Sequence, residues 1–228
     1  MGEPLFDLAA EYDAMLDRGI RLSGEDRHFF LRGRLAALSR RLCGPRPRRV
    51  LDFGCGLGDS SRALAATFEG AEVVGVDSAA GALDWARSRH ADARVRFEPL
   101  DGFPSLGPFD LCYVNGVFHH IRPAERPGAV RQIHAALAPG GRLALFENNP
   151  WNPGTRLVMA RIPFDRDAIP LSPRAARRLL EGAGFACRPP RSLFFFPRPL
   201  AALRFLEPRL EPLPLGAQYL VLGVRRDG

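Results

Sequence analysis

The chain has 228 residues, enough to bury one sizeable core with elaborations and short for two full domains. Every apolar run is cut by Arg, Pro, Asp or Glu before the roughly 18 residues that a bilayer span needs, and Met1-Gly2-Glu3-Pro4-Leu5 offers no basic lead into an apolar stretch, so a cytoplasmic protein is expected. Cys43, Cys55, Cys112 and Cys187 are scattered without a C-x-x-C pair or a His at ligand spacing, which points to neither zinc nor disulfides, and the net charge of +7 is carried by dispersed arginines, expected to be solvated on helix faces.

Residues 5 to 42 place Leu, Phe and Ala at helical spacing and stop at Gly44-Pro45, which predicts a helical lead-in over 1–44. From Arg49 short apolar runs alternate with Ala- and Arg-rich amphipathic segments, the βαβα rhythm of a parallel sheet with helices on both faces. Strands are predicted at 50–53, 73–76, 95–98, 111–114 and 142–146, with helices at 61–68, near 80–90 and at 125–137. Residues 148–171 are rich in Pro and Arg and read as an irregular functional loop rather than a crossover helix. A helix at 172–183, a sixth strand around 185–195, a Pro-rich insert at 197–215 and a final strand at 217–225 complete the chain.

The strongest motif is Val50-Leu51-Asp52-Phe53-Gly54-Cys55-Gly56-Leu57-Gly58, an apolar strand running through G-x-G-x-G into a helix. Glycines there allow a sharp turn and let a ligand lie against bare backbone at the carboxyl edge of the sheet. The dinucleotide fingerprint G-x-G-x-x-G is not met, since Asp59 stands where its third Gly belongs. A pyrophosphate at that helix start would be repelled by Asp59 and Asp52; a cationic ligand would not. Asp77, ending Val73-Val74-Gly75-Val76, can accept both ribose hydroxyls of an adenosine, and Asp101, after the third strand, can accept an adenine amino group. Either acid alone could equally cap a helix or form a turn.

With these residues in register, the chain resembles the class I S-adenosylmethionine-dependent methyltransferases, in particular small-molecule members of a bacterial generic subgroup. D-x-G-x-G-x-G at 52–58, the acids at 77 and 101, Phe109-Asp110, and the Leu-Ala-Pro-Gly-Gly run before the fifth strand carry the resemblance. It implies a Rossmann-like α/β fold: a seven-stranded, mostly parallel sheet with the last strand antiparallel, in a domain over 45–228 in which the composition of 148–171 and 197–215 marks them as expected acceptor-site insertions. It implies S-adenosylmethionine bound by Asp52, Gly54, Cys55, Gly56, Gly58, Asp77, Ser78, Asp101, Gly102 and Asn115. Phe6-Asp7-x-x-Ala-x-x-Tyr12-Asp13 resembles a lid helix whose tyrosine closes over the methionine end, although a buried core Tyr12 would look the same.

The reaction so implied is direct displacement at the sulfonium methyl, with a base needed only for acceptors that must lose a proton. His119 and His120, in Asn115-Gly116-Val117-Phe118-His119-His120-Ile121, are candidate bases, His120 preferred by resemblance; each could instead pack beside the cofactor or bond to backbone. Glu147 could orient an acceptor, and Asn148, Asn149 and Trp151 could bind it, although Asn-Pro pairs are also ordinary turn formers. A small-molecule or lipid-like, hydrophobic acceptor is expected, without nucleic acid and without a metal. Leu200, Leu203 and Leu206, edged by Arg198, Arg204 and Arg209, are expected to roof the acceptor site together with 148–171, or to touch an anionic membrane through 194–210. The alternatives are a nucleic-acid methyltransferase, weakened by Asn115-Gly116-Val117-Phe118 where N-P-P-Y would stand, a nicotinamide-dependent reductase, and a non-catalytic partner protein.

Overall fold

A computed structural model describes residues 19–162, 165 and 167–226. Among the described residues eight strands form one sheet: β1 (Arg49–Phe53), β2 (Glu72–Asp77), β3 (Val95–Pro99), β4 (Phe109–Asn115), β5 (Leu137–Asn148), β6 (Phe185–Cys187), β7 (Arg191–Leu193) and β8 (Gln218–Arg225). Their order is β3-β2-β1-β4-β5-β8-β6, with β7 also paired to β8. The first five are mutually parallel, and β8 runs antiparallel to β5, β6 and β7. The order reverses at β1 and β4, so the turns leaving those two strands border the crevice where open α/β sheets take ligands.

Alternation along each strand divides the core into two layers. Val50, Val73, Leu111, Tyr113 and Phe146 face α1 (Arg27–Arg41), α2 (Asp59–Thr67) and α3 (Ala80–His90), which contribute Leu38, Leu64 and Leu83. Leu51, Val74, Cys112, Val114 and Leu145 face α4 (Arg126–Ala136) and α6 (Pro173–Glu181), which contribute Ile133 and Leu180. Between these two helices in the chain lies α5 (Pro153–Arg161).

Three expectations change. The 148–171 segment contains helix α5, because Asn152 is its N-cap, accepting from Thr155 N at 2.9 Å, and Pro153 takes the first turn, where its missing N–H costs nothing. The Asn-Pro pair that read as a loop marks a helix start. The predicted sixth strand is two short pieces, giving eight strands rather than seven, since Arg188-Pro189-Pro190 interrupts it and proline cannot donate to a ladder. Several arginines expected in solvent are buried and tie segments together: Arg142 donates from Nη1 to Cys43 O (2.7 Å) and from Nη2 to Pro45 O (3.0 Å), and Arg126 Nε donates to Ile121 O (2.9 Å). Of the lead-in, a 3-10 turn (Arg21–Ser23) and α1 are helical, the latter capped by Asp26, whose carboxylate accepts from Phe29 N at 2.6 Å.

Candidate functional site

The glycine loop follows β1. Gly54 has φ +73°, and a Cβ there would come within 2.4 Å of Val117 Cγ2. Only glycine therefore lets this turn pack against the turn that leaves β4. Gly56, at φ +52°, has nothing near its missing Cβ, leaving open space over its backbone. Gly58, at φ +87°, is the N-cap of α2, with the Phe97 ring behind it.

Asp52 lies beneath the loop, 1% exposed, where its Oδ2 accepts from both Ser60 Oγ and Ser61 Oγ at 2.6 Å. Burial raises its pKa to about 6 despite these hydroxyls. Cys55 is buried among core side chains, so a ligand at the loop would meet its backbone rather than its sulfur. Asp77 ends β2 and accepts from Gly56 N at 2.8 Å and Ala79 N at 2.9 Å, which binds its carboxylate to the loop. Ser78 beside it is exposed. Because Asp77 pairs with Pro99 on β3, the exposed Asp101-Gly102 turn begins two residues beyond, at the same edge of the sheet. Asn115 closes β4 at this edge. Tyr12 lies outside the described residues.

Beside the turn that leaves β4 is a cavity of ≈ 520 Å³. Phe29 and Phe30 from α1, Leu157, Val158 and Met159 from α5, and Phe194, Phe195 and Phe196 after β7 give it an apolar wall; Asn115, Gly116, His119, His120 and Asp165 give it a polar end. Phe194 has φ +62°, a conformation rare for a bulky residue, and its ring packs edge-on against Phe30 at 5.0 Å and tilted against Phe29 at 5.8 Å. The arginines of the wall are engaged. Arg34 Nε donates to Tyr113 Oη and its Nη1 to Gln218 Oε1, both at 3.0 Å; Arg204 Nη2 donates to Glu25 at 2.8 Å; Arg27 pairs with Asp59 at 3.7 Å.

Glu147 is fully enclosed rather than facing an acceptor: Oε1 accepts from Phe118 N at 2.7 Å, and Oε2 lies 2.6 Å from His119 Nδ1. Its role falls on His119. Burial works against charge on that imidazole, but the Glu147 carboxylate, followed by Asp165, raises its pKa well above 6.5. His119 Nε2 and His120 Nε2 each lie 3.4 Å from Asp165 Oδ1. His120 is the more accessible, its side chain 25% exposed against 3% for His119.

Of the expected acceptor residues, Asn148 lines the cavity. Asn149 does not: it is buried and donates to Pro214 O at 2.9 Å and Gly216 O at 2.8 Å, pinning the start of β8. Trp151 is 46% exposed and absent from the wall. Of the expected roof, Phe194 to Pro197 and Arg204 line the cavity together with residues of 152–162, whereas Leu200, Leu203 and Leu206 do not, Leu200 and Leu203 being exposed. Asp165, Phe29, Phe30 and Arg34 went unmarked in the sequence, where each looks like an ordinary turn or helix residue.

The comparisons agree with this architecture. A family profile described as "Methyltransferase domain" matches residues 51–143, the stretch from β1 into β5. The demethylmenaquinone methyltransferase of Thermus thermophilus is 33% identical over an alignment covering 62% of this chain and 76% of that protein. The chain belongs to the class I S-adenosylmethionine-dependent methyltransferases. S-adenosylmethionine is that family's cofactor. The trans-aconitate 2-methyltransferase of Variovorax paradoxus is 36% identical across 51% of this chain, which spans only 45% of its length. Among solved structures, a Mesorhizobium loti S-adenosylmethionine-dependent methyltransferase superposes with a TM-score of 0.60 at 22% identity, covering 86% of this chain and all of that one. Human N-acetylserotonin methyltransferase with its cofactor gives 0.63 at 16% identity, covering 86% and 52%. These two share the fold.

Proposed function

We propose that this methyltransferase transfers the methyl group of S-adenosylmethionine to an apolar small molecule bearing an ionisable hydroxyl, of phenol or quinol type. The observation that carries this is the cavity, lined by five phenylalanines and by the cluster of His119, His120 and Asp165. Such rings would bury an apolar ring system, with the His/Asp cluster as a polar group able to fix its orientation. A tricarboxylate fits less well, since Arg27, Arg34 and Arg204 already hold partners. The quinone-type acceptor in the name of the T. thermophilus relative agrees with this preference over the polyacid named for the V. paradoxus relative.

In this reading Gly54, Gly56 and Gly58 expose backbone to the cofactor, Asp77 accepts from its ribose, Asp101 from its adenine, and Asn115 sits between cofactor and acceptor. The acceptor atom attacks the methyl carbon in line, the carbon–sulfur bond breaks, and the positive sulfonium becomes a neutral thioether. The hydroxyl proton leaves toward His120 and Asp165. His119, held by Glu147 and already favouring its charged form, is the poorer proton acceptor. Excluding water and aligning the attacking atom would supply much of the rate.

A paired turnover assay tests the acceptor. A reduced naphthoquinone and trans-aconitate are each incubated with enzyme and S-adenosylmethionine, and product is read by mass spectrometry. Methylated quinol with little methylated acid is expected. Preference for the acid would overturn the assignment.

A further inference from the structure

We propose that His119, His120 and Asp165 form a divalent-metal site, suited to Zn²⁺ or a similar borderline first-row ion, at the polar end of the acceptor cavity. One ligand atom from each residue falls within a common sphere, all three within 4.8 Å of one another. The two His Nε2 to Asp165 Oδ1 separations are both 3.4 Å, too long for good hydrogen bonds. They match the edge of a tetrahedron around one cation, since metal–ligand bonds of about 2.1 Å imply ligand–ligand distances of about 3.4 Å.

A second, independent observation concerns Asp165 itself. Its side chain is only 4% exposed, and what faces Oδ1 is the two imidazole Nε2 atoms at 3.4 Å, close enough to lower its pKa but too far for good hydrogen bonds. Leaving a carboxylate oxygen so is costly unless something cationic completes it. The third feature is the support behind His119. Glu147 Oε2 lies 2.6 Å from Nδ1, which holds a proton there, so Nε2, 3.4 Å from Asp165 Oδ1, is the atom that a metal would take in exchange for its proton. Glu147 is in turn anchored by Phe118 N. Such a carboxylate behind an imidazole is the usual support of a metal-bound histidine. The Asp165 segment is also tied directly to His119, through Ile169 N donating to His119 O at 2.8 Å.

Two imidazoles and one carboxylate favour a borderline metal over Mg²⁺ or Ca²⁺, which prefer all-oxygen sets. Three protein ligands would leave a position open toward the cavity. The site stands on geometry alone, whereas its role rests on the acceptor reading above. With a metal bound, His120 and Asp165 would be ligands rather than proton acceptors: an acceptor hydroxyl at the open position would lose its proton to solvent at lower pH, and its oxygen would be held for attack on the methyl group.

The test uses the untagged full-length chain without acceptor, dialysed against Zn²⁺ or Co²⁺ and analysed for bound metal and for the visible absorption of Co²⁺. One equivalent per chain is expected. His120→Ala, the most exposed of the three, and Asp165→Asn should each weaken binding at least tenfold, and Glu147→Gln by about 10- to 100-fold. Wild-type protein that holds no metal above the buffer, or that binds as well after His120→Ala and Asp165→Asn, would overturn the site. Adding a naphthol to the Co²⁺ protein should shift its absorption. A bound Co²⁺ whose spectrum ignores naphthol while the enzyme methylates it would overturn the role and leave both the metal site and the acceptor assignment intact.

Discussion

Around the glycine loop, most of the groups proposed for the cofactor sit at or just after the ends of three neighbouring parallel strands, β1, β2 and β3, within residues 52–102. The cavity proposed for the acceptor draws its wall from α1, from the turns after β4 and β5, from α5 and from the segment after β7, spread over residues 20–218. The first region is held by backbone: Gly54 N and Cys55 N both donate to Val76 O, and Gly56 N to Asp77. The second is held by side chains, with Phe29, Phe30 and Phe194 packed ring to ring. A backbone-built site tolerates little change in geometry, whereas a wall of side chains can be resurfaced one residue at a time. This fits the comparisons, where the profile match stops at residue 143 and the relatives' named acceptors differ.

The sharpest break between the regions should come from His120→Ala, expected to lower turnover by about 10²- to 10⁴-fold while cofactor affinity, read by calorimetry, stays within error. Asp77→Ala should do the reverse. It removes the carboxylate proposed to accept two charge-assisted hydrogen bonds from ribose, so cofactor affinity should fall at least about tenfold. An unchanged melting curve would separate this from unfolding. Phe30→Ala removes one ring of the wall, and losing part of an aromatic contact worth about 1.5 to 3 kcal/mol should raise the acceptor KM about tenfold with little effect on cofactor binding.

Smaller effects probe each region's edge. Asp52 has a folded pKa of about 6 against 3.8 for the free group, so the folded state holds its proton more tightly. Between these values the folded state binds more protons than the unfolded one. The stabilisation from protonated Asp52 is therefore full below about pH 4 and lost as pH rises through about 6. Asp52→Asn should flatten the fall in melting temperature across that window. Leu203→Ser, on the exposed face of the insert, should leave acceptor KM unchanged.

How much was legible follows the same division. Val50 to Phe53, Gly54 to Gly58 and Asp77 are short-range signals: a strand must be apolar and a positive φ calls for glycine, so pattern and chemistry coincide in one stretch. The strand around 185–195 was visible as an apolar run, yet its division needed the weight given to Pro189 and Pro190. Helix α5 was missed because Asn152-Pro153 serves a turn and a helix start equally well. Asp165 could not be found by spacing, since 45 positions separate it from His120 in the sequence. Only folding of the segment after α5 against His119 brings them together. Trp151 and Leu203 misled for the converse reason, as amphipathic spacing does not reveal which face another segment covers.

The most direct measurement incubates the purified protein with a cell extract and methyl-labelled S-adenosylmethionine, then separates small apolar molecules, small polar molecules, protein and nucleic acid before mass spectrometry. The account predicts label in the apolar small-molecule fraction, on an oxygen or ring position of a phenol- or quinol-like compound, and its loss with His120→Ala. Label concentrated in polyacids, protein or nucleic acid would contradict it.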